Sequence, residues 1–157
     1  MRKKTSATHS IEFKTEVDGV SSLSPVDFRS FSYDIKCTNC GDIRYGVIFD
    51  NTEVEASGTR GTFNFVMNCK CCGRQSTISY ISSKFDNKVD DYSQWNQLLT
   101  LDCRGCDIVR ASCNDWNIVS ESDNKYEWDG KEDFFEYDED LEKPVTVSDL
   151  QLRVSKG

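Results

Sequence analysis

Two stretches, KCTNCG at residues 36–41 and NCKCCG at residues 68–73, each place two cysteines three apart with a glycine directly behind the second. A tight Cys-x-x-Cys turn lets both sulfurs approach one ion at about 2.3 Å, and the glycine tolerates the left-handed backbone that aims amide N–H groups at the thiolates. Two such turns supply a complete tetrahedral set, so Cys37, Cys40, Cys69 and Cys72 are the candidate ligands of a single metal ion. The 28 residues between the pairs exceed the roughly 15 to 20 usual for paired knuckles. Loop closure costs only about 0.6 kcal/mol per doubling of length, against roughly 10–16 kcal/mol available from structural zinc, so the insertion is no obstacle. A hairpin of strand-like residues 43–49 and 62–68 is expected to bring the turns together.

Ligand type narrows the ion. The only histidine, His9, lies in the polar start MRKKTSATHS and reads as a solvated tail residue, which leaves an all-sulfur cage. Four thiolates suit Zn²⁺ or iron, and with no other electron-transfer signature zinc is favoured, at one ion per chain. Four protein ligands leave no position for an activated water, so the site reads as structural. The competing readings are buried thiols acting as small apolar groups, disulfides, and a redox pair, which would want a strand-to-helix setting. Cys71 sits inside the second pair and could replace Cys69 or Cys72, although spacing and Gly73 favour those two. Cys103 and Cys106 form a third pair, CRGC, with no trailing glycine. Together with Cys71 and Cys113 they read as ordinary thiols, with pairing or transient binding of a soft metal as the alternative.

The elements that must position these turns show a period of two. Apolar residues fall at Ile11, Phe13 and Val17, at Phe31, Tyr33, Ile35 and Cys37, and at Ile43, Tyr45, Val47 and Phe49. The pattern returns at Phe63, Phe65, Met67 and Cys69, at Leu99, Leu101 and Cys103, and at Leu150, Leu152 and Val154. Such alternation belongs to half-buried strands, and no window carries a helical stripe, so an all-β sandwich or barrel is expected. FSYDIKCTNCGDI and QLLTLDCRGCDIV share an outline, strand then Cys-x-x-Cys turn then strand, which suggests two similar β halves sharing one core. The corresponding division is a flexible tail at 1–10, a zinc-binding half at 11–82 and a second half at 83–157. Residues 83–97 connect the halves, and Tyr92 and Trp95 suggest that this connection packs down.

Charge is unevenly spread over the 157 residues. The net charge is −8, yet residues 121–142 alone hold eleven carboxylates and two lysines, leaving +1 for the remainder. A nearly neutral body beside an acidic insertion lacks the basic field that drives binding to phosphate backbones, which argues against nucleic acid as a partner. No apolar run approaches the roughly 20 residues of a membrane span and no secretory segment is evident, so a cytoplasmic location is expected, with the nucleus as a further possibility. The acidic stretch interleaves Tyr126, Trp128, Phe134, Phe135 and Tyr137. It reads either as an exposed loop anchored by aromatics or as a surface that docks a basic partner. No nucleophile, phosphate cradle or second histidine accompanies the carboxylates, so no catalytic residue is assigned. SGTRG at 57–61 reads as a β-turn.

Taken together, KCTNCG, GTRGTFNFVMNCKCCGR, LDCRG and the closing YDEDLEKPVTVSDLQLRV resemble the eukaryotic CXXC-motif-containing zinc-binding protein family, over nearly the whole chain. The resemblance implies an all-β protein of two similar halves with one zinc on the cysteines at 37, 40, 69 and 72, and it implies no catalytic activity. Thiols at Cys71 and Cys106, and the more acidic region at 121–142, depart from the family pattern. The expected function is that of a non-enzymatic zinc protein acting through protein partners. The alternative is a thiol-based metal-homeostasis or redox-sensing protein that uses the extra cysteines.

Overall fold

The computed structural model describes residues 6–85 and 88–157, and among these there are fourteen β-strands, one short 3₁₀ turn at Phe28–Ser30 and no α-helix. The strands are β1 (Ser6–Asp18), β2 (Val20–Pro25), β3 (Phe31–Cys37), β4 (Ile43–Val47), β5 (Val54–Glu55), β6 (Thr62–Phe63) and β7 (Phe65–Asn68). They continue as β8 (Gln75–Ser83), β9 (Asn96–Arg104), β10 (Cys106–Cys113), β11 (Trp116–Ser120), β12 (Lys125–Trp128), β13 (Phe134–Asp138) and β14 (Lys143–Lys156). A six-stranded antiparallel sheet, ordered β13-β14-β1-β9-β8-β7, curls into a half-barrel. Two three-stranded sheets, β10-β3-β4 and β12-β11-β2, accompany it, with β5 and β6 forming a small hairpin. The chain is all-β, as its alternation predicts.

The alternating residues face one interior. Ile11 and Phe13 of β1, Ile78 of β8, Leu99 and Leu101 of β9 and Val145 and Val147 of β14 are buried with Phe31, Tyr33 and Ile35 of β3 and Trp116 and Ile118 of β11. Phe13 meets Trp116 at 5.4 Å between ring centroids, and the Trp116 indole N–H donates to the Cys113 carbonyl at 3.0 Å. Each such side chain contributes roughly 1.5–3 kcal/mol by leaving water, so this interior is what holds the sheets in register around the cysteine turns.

Several expectations are corrected. The tail assigned to residues 1–10 is strand from Ser6 onward, while residues 1–5 lie outside the described residues. His9 is buried in β1, with Nε2 3.2 Å from the Asp107 carboxylate, rather than solvated. Pairing with β14 on one side and β9 on the other makes β1 an interior strand, and that outweighs its place near the chain start. Strands 43–49 and 62–68 form no hairpin, because β4 joins β3 whereas β7 joins β8 in the other sheet. In β4 the alternation fails: Tyr45 is exposed, next to Gly46 in left-handed conformation and a register shift against β3. The two Cys-turn outlines also diverge, since β3 and β4 pair with each other while β9 and β10 enter different sheets.

The acidic stretch is not a loop. It forms β12 and β13, and Asp138 is buried as an acceptor hub for Tyr126 Oη (2.9 Å), Ser122 Oγ (3.0 Å) and the backbone N–H of Leu141 (3.0 Å). Burial alone would raise this carboxyl, but the Leu141 N–H, Asn124 and Tyr126 outweigh it and hold the group well below the usual carboxylate range. The connection between β8 and β9 packs down as expected. Tyr92 Oη accepts the Leu23 N–H at 2.9 Å, and the Trp95 ring lies under Lys14 and Arg153. Residues 86–87 of that connection lie outside the described residues.

Candidate metal centre

The first cysteine turn leaves the end of β3 and the second joins β7 to β8, so one projects from the three-stranded sheet and the other from the edge of the six-stranded sheet. Their backbones repeat one pattern. Gly41 N–H donates to the Cys37 carbonyl at 2.9 Å and Cys37 N–H to the Asp42 carbonyl at 2.8 Å. Gly73 N–H donates to the Cys69 carbonyl at 2.8 Å and Cys69 N–H to the Arg74 carbonyl at 2.9 Å. Closing each turn this way requires a left-handed residue, and φ is 81° at Gly41 and 76° at Gly73.

The two turns face each other. Cys37 Sγ lies 3.7 Å from Cys72 Sγ and Cys40 Sγ lies 3.5 Å from Cys69 Sγ, with all four sulfurs within 4.8 Å of one another. A tetrahedral ion with bonds of about 2.3 Å separates its sulfurs by about 3.8 Å, close to the Cys37–Cys72 and Cys40–Cys69 separations, so the cluster can hold an ion of this kind. Each turn gives one buried sulfur, Cys37 and Cys69, and one on an exposed residue, Cys40 and Cys72. The donor set fits one Zn²⁺ and supplies all four of its positions. Cys71 is exposed and is not among the converging sulfurs.

Electrostatics assign an order to the thiols before an ion binds. The Cys72 thiol is pulled down to about 6 by the Asn39 side chain and the Arg74 backbone, with Cys37 and Cys69 adding to the effect. At Cys40 the Asp42 backbone favours the thiolate, but hydrogen bonding to Cys69 and desolvation outweigh it, and the group is pushed up to about 12. Arg74 holds Asn39 in place through Nη1 at 3.3 Å. Beside Cys37 and Cys69 opens a cavity of about 220 Å³ that Arg44, Met67 and Lys70 also line.

Sequence reading missed the support beneath the cage. The Gly105 carbonyl, at the tip of the CRGC turn, accepts the Thr38 N–H of the first cysteine turn at 3.2 Å and the Ser76 hydroxyl, just after the second, at 3.0 Å. A Cβ on Gly105 would lie 3.1 Å from both the Gln75 carbonyl oxygen and Ser76 Oγ, and φ there is +77°. The signal was the glycine inside the third pair, where the other two pairs carry theirs outside. Cys103 and Cys106 themselves are buried at 1% and 2% exposure, and the Cys103 thiol is pushed far up by its hydrogen bond with Cys106 and by burial. Burial likewise pushes Cys113 up to about 12.

Comparison with known proteins agrees with this geometry. A model of the eukaryotic CXXC motif containing zinc binding proteins matches residues 10–155. A UPF0587 protein of Schizosaccharomyces pombe is 27% identical over 154 residues, covering 94% of this chain and 97% of the relative. A UPF0587 protein of Caenorhabditis elegans is 33% identical over 100 residues, which span 60% of this chain and 60% of the relative. The crystal structure of C1orf123 superposes with a TM-score of 0.82 at 23% identity, over 96% of this chain and 99% of that one, and so shares the fold. Among the described residues no helix is long and apolar enough to cross a membrane. With four cysteines able to hold one ion and a family match across nearly its full length, the chain belongs to the eukaryotic CXXC motif containing zinc binding proteins.

Proposed function

We propose that this protein is a non-enzymatic zinc protein in which Cys37, Cys40, Cys69 and Cys72 hold one structural Zn²⁺, and that it acts by binding other proteins. Closure of the cage supports the first half. Four chain sulfurs fill a tetrahedral ion, which leaves no open position for water or substrate, and the ion ties the β7 edge of the large sheet to β3.

The observation that carries the second half is the outer strand β13. It is the terminal strand of the six-stranded sheet, and it exposes Phe135 at 68% and Tyr137 at 56% within the acidic stretch. An edge with unpaired backbone groups, two outward aromatics and a strong negative field suits a basic segment of a partner protein. The thiol-based alternative would need accessible, acidic cysteines; of Cys71, Cys103, Cys106 and Cys113 the last three are buried and Cys71 is exposed, which leaves that reading a single accessible thiol outside the cage.

The test compares proteins retained from lysate by zinc-loaded wild type and by a Phe135→Ser/Tyr137→Ser double variant, scored by quantitative mass spectrometry. Partners retained by wild type and lost by the double variant support the reading. An identical set on both counts against β13 as the docking edge.

A further inference from the structure

Strand β10 is the outer strand of β10-β3-β4 and, among the described residues, pairs with β3 alone. Facing it is the second half of β14, whose other side has no strand partner among the described residues, since β13 pairs with Lys143–Val147. The two strands approach at one end, where Lys156 Nζ lies 3.0 Å from the Asp107 carboxylate. Away from that pin they border a groove of about 580 Å³, lined by the consecutive residues 109–114 and 150–154 and bounded by Gly130 and Lys131. Lining by every residue in a row, instead of every second one, means that the groove runs along strand edges and so offers main-chain donors and acceptors.

The lining sets the chemistry of an occupant. Arg110 and Lys131 are exposed, and neither has a carboxylate within ion-pair distance among the described residues. Among the described residues no aspartate or glutamate lines the groove. Opposite β10 the wall carries Leu150 and Leu152, both half-buried, and Val109 on β10 is exposed at 46%. In a chain of net charge −8 this is a local basic and apolar trough.

We propose that this groove takes an extended acidic segment of a partner protein, which adds to β10 as a fourth strand. Main-chain pairing with residues 109–112 holds the segment, since the Cys113 carbonyl already accepts the Trp116 indole N–H; its carboxylates face Arg110 and Lys131, and its alternate apolar side chains rest on Leu150 and Leu152. Residues 109–112 would pair with about 13 Å of extended chain, a length of four residues. This surface is built on β10 and not on β13, although Lys131 lies three residues before β13 begins, and it calls for the opposite charge in its partner.

The test uses two fluorescein-labelled octapeptides, alternating Val-Glu and alternating Val-Lys, titrated with the zinc-loaded full chain and read by anisotropy, with amide hydrogen exchange on the same samples. The expected result is binding of Val-Glu and not of Val-Lys, with slowed exchange confined to residues 109–112. Affinity should fall about tenfold or more in Arg110→Glu/Lys131→Glu. Should that double reversal disturb the fold, Arg110→Ala is the substitute, with a smaller loss in the same direction. The proposal is overturned by an absence of Val-Glu binding up to about 1 mM, by equal binding of Val-Lys, by unchanged affinity in the variants, or by protection elsewhere. Light scattering that shows a dimer with residues 109–112 already protected would assign the groove to a second copy of this chain and likewise overturn it.

Discussion

Three turns in this molecule share the spacing Cys-x-x-Cys, and they do different work. In the turns at 37–40 and 69–72 the glycine follows the second cysteine, the turn projects from its sheet and one sulfur of each sits on an exposed residue. In the turn at 103–106 the glycine lies between the cysteines, both thiols are buried, and the Gly105 carbonyl braces the other two turns. The difference teaches that spacing alone does not make a ligand pair. What decides is whether the turn closes beyond the sulfurs, leaving them to point at an ion, or between them, sending the backbone outward and the thiols into the core.

The sharpest way to break that contrast is to remove one sulfur from each kind of turn. Cys40→Ser or Cys72→Ser should abolish stoichiometric zinc and with it the cooperative thermal transition, since metal binding of the roughly 10–16 kcal/mol class is lost. Cys103→Ser should keep one zinc per chain and lower unfolding free energy by only about 1–3 kcal/mol, the cost of placing a hydroxyl among apolar neighbours. Elemental analysis beside calorimetry reads both. A zinc-free Cys103→Ser protein would erase the distinction.

A smaller effect is expected from Gly105→Ala. The added methyl meets Gln75 and Ser76 at a left-handed residue, so we expect a loss of about 1–3 kcal/mol with zinc still at one per chain. Zinc should pass to a chelator faster than from wild type, because the brace is displaced while the ligands are intact.

Acidity provides a further test of the metal turns. Cys40, held up near 12, is protonated throughout pH 6–8 and must give up that proton to bind zinc. Apparent zinc affinity should therefore rise at least tenfold per pH unit across this range. Below pH 6, Cys72 also has to lose a proton on binding and the dependence should steepen. A flat profile from pH 6 to 8 in competition titrations would contradict a thiolate cage. Least perturbing is alkylation of the zinc-loaded protein near neutral pH. Cys71 should react, while Cys103, Cys106 and Cys113 stay unmodified and the thermal transition stays in place.

The cage was legible in the sequence because a knuckle is a local object: two sulfurs, a fixed spacing and a glycine that the backbone requires. Period-two alternation exposed the strands and their inward faces for the same reason. Partner choice between strands was less visible. Nothing near Ile43 or Phe65 reveals that β4 and β7 belong to different sheets, so the turns meet from two sheets and not at the ends of one hairpin. His9 was misread because burial of a histidine in β1 depends on Asp107 and Lys156, about a hundred residues or more away. The acidic stretch hid its order in the same way. Eleven carboxylates look alike in sequence, and only the packing of Tyr126, Asn124 and Leu141 selects Asp138 to turn inward.

The central claim, that two distant turns enclose one ion with sulfur alone, is tested most directly by zinc K-edge absorption on the purified zinc-loaded protein. The account predicts a first shell of four sulfurs at about 2.3 Å and no nitrogen or oxygen. A shell with fewer than four sulfurs, or with any light-atom ligand, would contradict it.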